Sequence, residues 1–252
     1  MAADQPAPAR PPAAQRTSEG VQRMFDRVAP RYDLANTVFS LGQDRAWRQA
    51  AARSSRLAAG EVAVDVACGT GALTRELEAM APGAVVAGLD FSQGMLARAR
   101  STGGAHGAPP DPPEPSLRLA AGDALRLPLA DASVDVVTIA FGLRNLPEPG
   151  QGLLEFRRVL RPGGRLVVCE FSHPVVPVFR QVYRRYLTRL MPVAARRLTS
   201  DPEAYQYLAR SIGAWPDQPG LARWLQEAGF AAVAWRDLSG GIVALHRGTA
   251  AG

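Results

Sequence analysis

The run Val62-Ala63-Val64-Asp65-Val66-Ala67-Cys68-Gly69-Thr70-Gly71 decides how the chain folds. Its first six residues are short and almost continuously apolar, the pattern of a strand buried on both faces of a parallel sheet. The Gly-Thr-Gly that follows marks a tight turn, and residues 72–80 then read as a helix. Outward from this unit the alternation repeats. Strands are expected at 84–89, 117–121, 134–140 and 165–171, with helices at 93–100 and 150–160 between them. Such alternation predicts an α/β fold, a parallel sheet with helices on both faces. Two more strands, 231–238 and 242–246, meet around Gly240-Gly241 and predict an antiparallel hairpin that closes a mostly parallel seven-stranded sheet.

The remaining segments divide by composition. Residues 1–18 are rich in Ala, Pro, Gln and Arg, carry no apolar period, and read as a disordered tail before a single domain at 19–248. Within that domain, 19–58 are expected to form an N-terminal helical cap or lid. Val21, Met24, Phe25 and Val28 share one helical face before Pro30, and a second helical stretch runs through Trp47 towards Leu57. Residues 101–116 break the rhythm with Gly, Pro and acidic residues and read as a flexible surface insertion. Residues 174–215 are helical again, and a further helix at 221–228 precedes the hairpin.

A chain of 252 residues can bury one sizeable core unaided. With 47% hydrophobic and 21% charged residues, global disorder is excluded. No uncharged apolar stretch reaches the roughly 18 residues of a membrane span, and the N-terminus lacks the apolar core of a signal peptide. The two cysteines, Cys68 and Cys169, cannot build a disulfide scaffold and read as small buried hydrophobes in a reducing compartment, so the expected location is cytoplasmic. No His, Cys, Asp or Glu cluster has metal-ligand spacing, so no metal is expected. The net charge of +6 rests on Arg alone, because the chain has no Lys. A basic excess suits nucleic acid or an anionic membrane. Arg dispersed along a chain rich in Ala, Gly and Pro is more simply a compositional replacement of Lys.

The glycine turn lies where a strand ends and a helix begins, a place where free N–H groups and missing Cβ atoms let a ligand approach. About 20 residues later Asp90 ends the second strand, where a carboxylate can accept both hydroxyls of a ribose. A dinucleotide fingerprint needs a third glycine. Thr74 stands in its place, so a pyrophosphate is poorly served. The sequence V-D-V-A-C-G-T-G resembles motif I of the class I S-adenosylmethionine-dependent methyltransferases. That resemblance implies a Rossmann-like fold in which Gly69, Thr70 and Gly71 contact the methionine part of the cofactor and Asp90 holds its ribose. Gly122-Asp123-Ala124 resembles the adenine-binding segment, with Asp123 accepting from the exocyclic amine beside Ala124.

Five further segments narrow the resemblance: M-F-D-R-V-A-P-R-Y-D at 24–33, A-F-G-L-R-N at 140–145, R-V-L-R-P-G-G-R-L-V-V-C-E-F-S at 158–172, D-P-E-A-Y at 201–205 and G-G-I-V-A-L-H at 240–246. As a set they are similar to the quinone-biosynthesis C-methyltransferases, and the likeness covers about residues 20–248. Departures are Ala35 for a usual Met, Asp44 for His, Arg161 for Lys and Ala140 for a Ser of some members. The family implies methylation of a ring carbon of a prenylated quinol, demethylmenaquinol before benzoquinol or another phenol, as the last step of menaquinone synthesis. S-adenosyl-L-homocysteine would be the second product. A nucleic-acid-binding protein on the same fold is the alternative from another class, although no nucleic acid is expected.

For the chemistry, Arg144 and Asn145 follow the fourth strand at the ligand-binding edge. Arg144 is expected to stabilise a phenolate or polarise a water, and Asn145 to orient the ring oxygen. Their structural alternatives are an ion pair for Arg144 and a turn cap for Asn145. Tyr32, beside Asp33, is expected on a lid with its hydroxyl on the substrate, or else as a half-buried Tyr bonded to backbone. His173 is either a proton acceptor or a loop residue. Finally, 177–192 as a helix gathers Phe179, Val182, Tyr183, Tyr186, Leu187 and Leu190 on one face. Arg180 and Arg184 flank it on one side, Arg185 and Arg189 on the other. That pattern fits peripheral contact with the inner face of a membrane, or an amphipathic helix covering the sheet. A homodimer stays open.

Overall fold

The computed structural model describes residues 42–101, 117–190 and 202–251, together with Gly20, Asp26, Thr37 and Ser40. The tail at 1–18, the insertion beyond Ser101, and Tyr32 and Asp33 lie outside the described residues.

Among the described residues seven strands form one sheet, in the order β3-β2-β1-β4-β5-β7-β6. They are β1 (Val62–Val66), β2 (Val85–Asp90), β3 (Arg118–Ala121), β4 (Val134–Ala140), β5 (Leu160–Phe171), β6 (Phe230–Leu238) and β7 (Val243–Ala250). Pairing is parallel from β3 through β5 and antiparallel for β5–β7 and β7–β6. Among the described residues the helices are α1 (Gln43–Ser55), α2 (Ala72–Met80), α3 (Gln93–Ser101), α4 (Pro149–Val159), α5 (Pro177–Arg185), α6 (Pro202–Gly213) and α7 (Gln218–Glu227). The α/β architecture expected from the alternation is the one observed.

The apolar run of β1 folds as its composition demands. Side chains alternate across a strand, so Val64 and Val66 join Val137 and Ile139 on one face of the sheet. There they meet Leu153 and Phe156 of α4 and Leu221 and Leu225 of α7. Ala63 and Val136 point the other way, onto Trp47 and Ala50 to Ala52 of α1 and Leu73 and Leu77 of α2. Phe156 is fully buried, so truncating it to Ala would cost about 3–5 kcal/mol.

Two expectations need correction. The second helix of the expected cap, α1, is no lid: its buried Trp47 and alanines make it a layer of the core against β4, β5 and β7. Strand β5 starts at Leu160, not at 165, because Leu160 pairs with Val134 before the Gly163 turn, at φ +79, restores register at Arg165. Arg161, which replaces a usual Lys, pairs there with Asp135 at 2.5 Å. The closing antiparallel hairpin is as expected: it turns through a 3-10 segment, Ser239–Gly241, and its second strand, β7, slots between β5 and β6. Gly241, at φ +92, must be Gly, since a Cβ would stand 3.1 Å from the backbone of His173, Pro174 and Val175.

Candidate active site

The carboxyl ends of β1, β2, β3 and β4 gather the sequence-predicted residues on one edge. After β1 the backbone turns through Ala67 (φ 52), Gly69 (φ 56) and Gly71 (φ 76). The two glycines serve different ends. A Cβ on Gly71 would stand 2.6 Å from Leu117 Cδ1, so the tip of that side chain would have to shift in addition to the strain of the positive φ. Nothing lies within 4 Å of a Cβ built on Gly69, so that side of the turn is open to an approaching group. Thr70 between them is buried.

Asp90 ends β2 and joins this turn. Its Oδ2 accepts from the Gly69 N–H at 2.8 Å and its Oδ1 from the Ser92 N–H at 2.8 Å. Each oxygen keeps a lone pair for one hydroxyl of a ribose. Burial raises the Asp90 pKa, opposed by those two backbone donors. Asp123 follows β3 and lies on the same edge, two residues beyond Ala121, the register partner of Asp90. It is exposed, and its Oδ1 accepts from the Leu125 N–H at 2.9 Å, an Asx turn. Ala124, by contrast, sinks its methyl into the core, which leaves only its backbone for a ligand.

Arg144 and Asn145 occupy a 3-10 turn, Leu143–Asn145, beyond β4. Both face inward. Arg144 Nη1 donates to Glu170 Oε1 at 2.8 Å and to the Phe141 carbonyl at 2.5 Å, and the guanidinium sits 5.0 Å from the Phe171 ring centroid. Its Nε is buried with no partner. Free contact of Arg144 with a substrate is therefore not what this geometry offers. The ion-pair alternative is realised, because a buried guanidinium is stable only beside a carboxylate. Burial pushes the Glu170 carboxyl upward, against the pull of Arg144. Asn145 Nδ2 shares the Phe141 carbonyl at 3.0 Å, and its Oδ1 accepts from the Tyr207 hydroxyl at 3.2 Å. Phe141 presents that carbonyl by adopting φ 58.

Some site residues escaped the sequence reading. Tyr207 reaches Asn145 from α6, a contact of long sequence separation that no local pattern signals. Asp26 was visible only as one letter of a family segment. Its Oδ1 accepts from Ser92 Oγ at 2.5 Å and from the Gly94 N–H at 3.1 Å, which ties the N-terminal segment to the start of α3 and to Asp90. Thr74, where a third glycine was missing, is fully buried and donates to Asp65 Oδ2 at 2.8 Å. Thr138, the register partner of Asp65, donates to Oδ1 at 2.8 Å. Desolvation lifts the Asp65 pKa to about 7 even so. His173 settles as a loop residue, its Nε2 2.8 Å from the Trp215 carbonyl. Asp44, in place of a family His, is held by Arg48 and Ser40. Burial raises both cysteine thiols, so neither is a ready nucleophile. Among the described residues no group of three His, Cys, Asp or Glu could hold a metal.

A family model described as the ubiE/COQ5 methyltransferase family matches residues 13–250. A demethylmenaquinone methyltransferase of Corynebacterium kroppenstedtii is 51% identical over 91% of this chain and 93% of its own length. One from Mycobacterium marinum is 50% identical over 94% of this chain and 96% of its own. One from Streptomyces avermitilis is 49% identical over 90% and 93%. Among solved structures, a methyltransferase from Haloferax volcanii in complex with the Trm112 activator superposes with a TM-score of 0.64 at 19% identity, covering 90% of this chain and 98% of that one. The [4+2]-cyclase SpnF superposes with a TM-score of 0.63 at 23% identity, covering 90% and 77%. A Haemonchus contortus phosphoethanolamine N-methyltransferase in complex with S-adenosyl-L-methionine reaches 0.53 at 16%, covering 76% and 38%. These structural likenesses establish the fold.

Proposed function

The chain belongs to the ubiE/COQ5 methyltransferase family, and from that premise we propose that it methylates a ring carbon of a prenylated quinol, demethylmenaquinol in particular. The observation that carries the reading is the bridge from Asp90 to the Gly69 N–H, which joins the glycine turn of β1 to the acidic end of β2. The cofactor is S-adenosylmethionine, which supplies an electrophilic methyl group on a sulfonium. The residues fit it. Gly69 leaves its Cβ side open, and the Asp90 oxygens each keep a lone pair for a ribose hydroxyl. Asp123, at the adjoining strand end, would accept from the adenine amine, with the backbone of Ala124 beside it.

The ring carbon becomes nucleophilic when a neighbouring hydroxyl loses its proton. Asn145, paired with Tyr207, orients that ring oxygen. Arg144 favours the ionised hydroxyl from behind, its charge held against Phe171 by Glu170. Tyr32 belongs to the same assignment as a substrate contact of the N-terminal segment. The domain is a single unit at 19–248, acting at the cytoplasmic side where a lipid-soluble quinol is met at the membrane surface. Among the described residues no helix is long and apolar enough to cross a membrane.

The test is incubation of the purified protein with methyl-labelled cofactor and a panel of reduced naphthoquinols and benzoquinols. Label in the naphthoquinol ring is expected. Label in no quinol, or in added RNA instead, overturns the reading.

A further inference from the structure

Helix α5 and the five residues that continue it, Tyr186–Leu190, have two unlike faces. The expectation of one apolar face holding Phe179, Val182, Tyr183, Tyr186, Leu187 and Leu190 together is corrected by the packing; the Leu190 side chain lies outside what is described. Tyr183, Tyr186 and Leu187 turn inward onto Phe171, Leu208, Ala209 and Ile212, where α5 backs the ring that carries Arg144. Phe179 lies at the border, its ring close enough to Gly240 that a Cβ there would stand 2.9 Å away. The outward face is also apolar. Val175, Val176, Val178 and Val182 are 50–73% exposed. Of nine large hydrophobic side chains exposed among the described residues, five fall within 175–182, so this is a patch and not scatter. Val178 and Val182, four residues apart, stack on the helix surface, and exposed Arg185 and Arg189 continue the row.

The charge pattern identifies the partner. The stretch 171–200 contains six Arg and no Asp or Glu. Other stretches are as rich in Arg, so what sets this one apart is that no acid offsets the six. An apolar ridge with Arg beside it matches an anionic lipid bilayer, where valines enter the acyl boundary and guanidinium groups meet headgroups. RNA would match the charge but needs stacking rings, and the outward row offers valines. We propose that the outward face of α5, Val175 to Val182 with Arg184, Arg185 and Arg189, docks the protein on an anionic membrane surface. The inward face of the same helix then borders the site, so a lipid-soluble substrate enters along α5. This last step rests on the quinol reading; the docking does not.

Flotation with vesicles of phosphatidylcholine alone, or mixed with phosphatidylglycerol, tests it. Wild-type protein is expected to float with the mixed vesicles at low salt and to be released as salt rises. Arg185→Gln with Arg189→Gln should weaken binding by about 30-fold, from roughly a fivefold loss per Arg near an anionic surface. Val178→Ser with Val182→Ser should weaken it by at least about tenfold. Both pairs are exposed, so thermal melts should match wild type, and transfer to a short-chain, water-soluble quinol should stay within about twofold. Equal binding to both vesicle types, flotation of both variants like wild type, or binding to RNA without binding to vesicles would overturn the docking face. Vesicle binding without methyl transfer to any quinol would instead count against the proposed function alone.

Discussion

Arg144 Nη1 lies 2.8 Å from Glu170 Oε1, and neither side chain is more than 6% exposed. Glu170 also accepts from the backbone N–H of Arg144 at 3.2 Å and of Phe171 at 2.8 Å, so one carboxylate locks the ends of β4 and β5 together. Both charges are sealed in the fold, so Arg144 reaches the site only through its field and through the turn that it holds.

That arrangement makes Arg144→Gln a double insult. It strands a buried carboxylate, at a cost of about 3–5 kcal/mol, and it removes the charge proposed to favour the phenolate. Adding Glu170→Gln removes the stranded charge and should restore most of the stability. Turnover in the double variant should stay low while cofactor affinity stays near wild type. Thermal melts, cofactor titration and turnover at saturating quinol separate the two effects. A stable double variant with near-normal turnover would confine Arg144 to holding the loop.

Asp90→Ala tests the cofactor edge. The carboxylate both fixes the Gly69 N–H and is assigned to the ribose, so its loss should weaken S-adenosylmethionine binding by about 2–3 kcal/mol. Calorimetric titration of the folded variant reads this directly. Unchanged affinity would remove the ribose assignment.

Local patterns carried the reading far wherever neighbours in sequence are neighbours in the fold. The β1 run, its glycine turn and Asp90 obey strand and helix periods, and the sheet followed from them. Side-chain direction across the fold was not legible in the same way. Nothing near Arg144 announces that Glu170, 26 residues on, takes its Nη1. Nothing near Asn145 announces Tyr207, 62 residues on. The helix at 177–185 is instructive, because its period gathered apolar residues on one face and its packing divided them between an inward and an outward side. A helical wheel cannot tell which of two apolar sectors meets the protein.

Asp26 is the N-terminal segment's described attachment to α3. Asp26→Ala should lose the contacts to Ser92 and Gly94 and cost about 0.5–2 kcal/mol, the range for a lost helix cap. Asp26→Asn keeps an accepting oxygen and should stay within a few tenths of a kcal/mol of wild type. Denaturant unfolding of both variants checks the difference. If the Ala variant unfolds with the wild-type midpoint, the latch contributes nothing to the fold.

The sharpest pH signature belongs to Asp65. Its folded pKa is raised to about 7 from an ordinary 3.8 by desolvation, although Thr74 and Thr138 both donate to it. Between those values the folded protein keeps the proton and the unfolded chain releases it. Wild-type stability should therefore fall as pH rises from about 4 to about 7, by up to about 1.4 kcal/mol per unit, and the fall should end above that. Asp65→Asn does not titrate, and its amide can accept from one threonine hydroxyl while donating to the other, which is free to rotate. The variant should thus gain stability relative to wild type across this window and hold the gain at higher pH. Buried His246, whose pKa burial lowers, has the opposite sign: its stability contribution is lost as pH drops below about 6.5. It is present in both proteins, so it cancels from the difference. Urea midpoints of the pair, measured from about pH 4 to about pH 8, give the curve. A difference that stays flat would mean that the two hydroxyls hold Asp65 ionised throughout, and that this carboxylate carries no penalty in the fold.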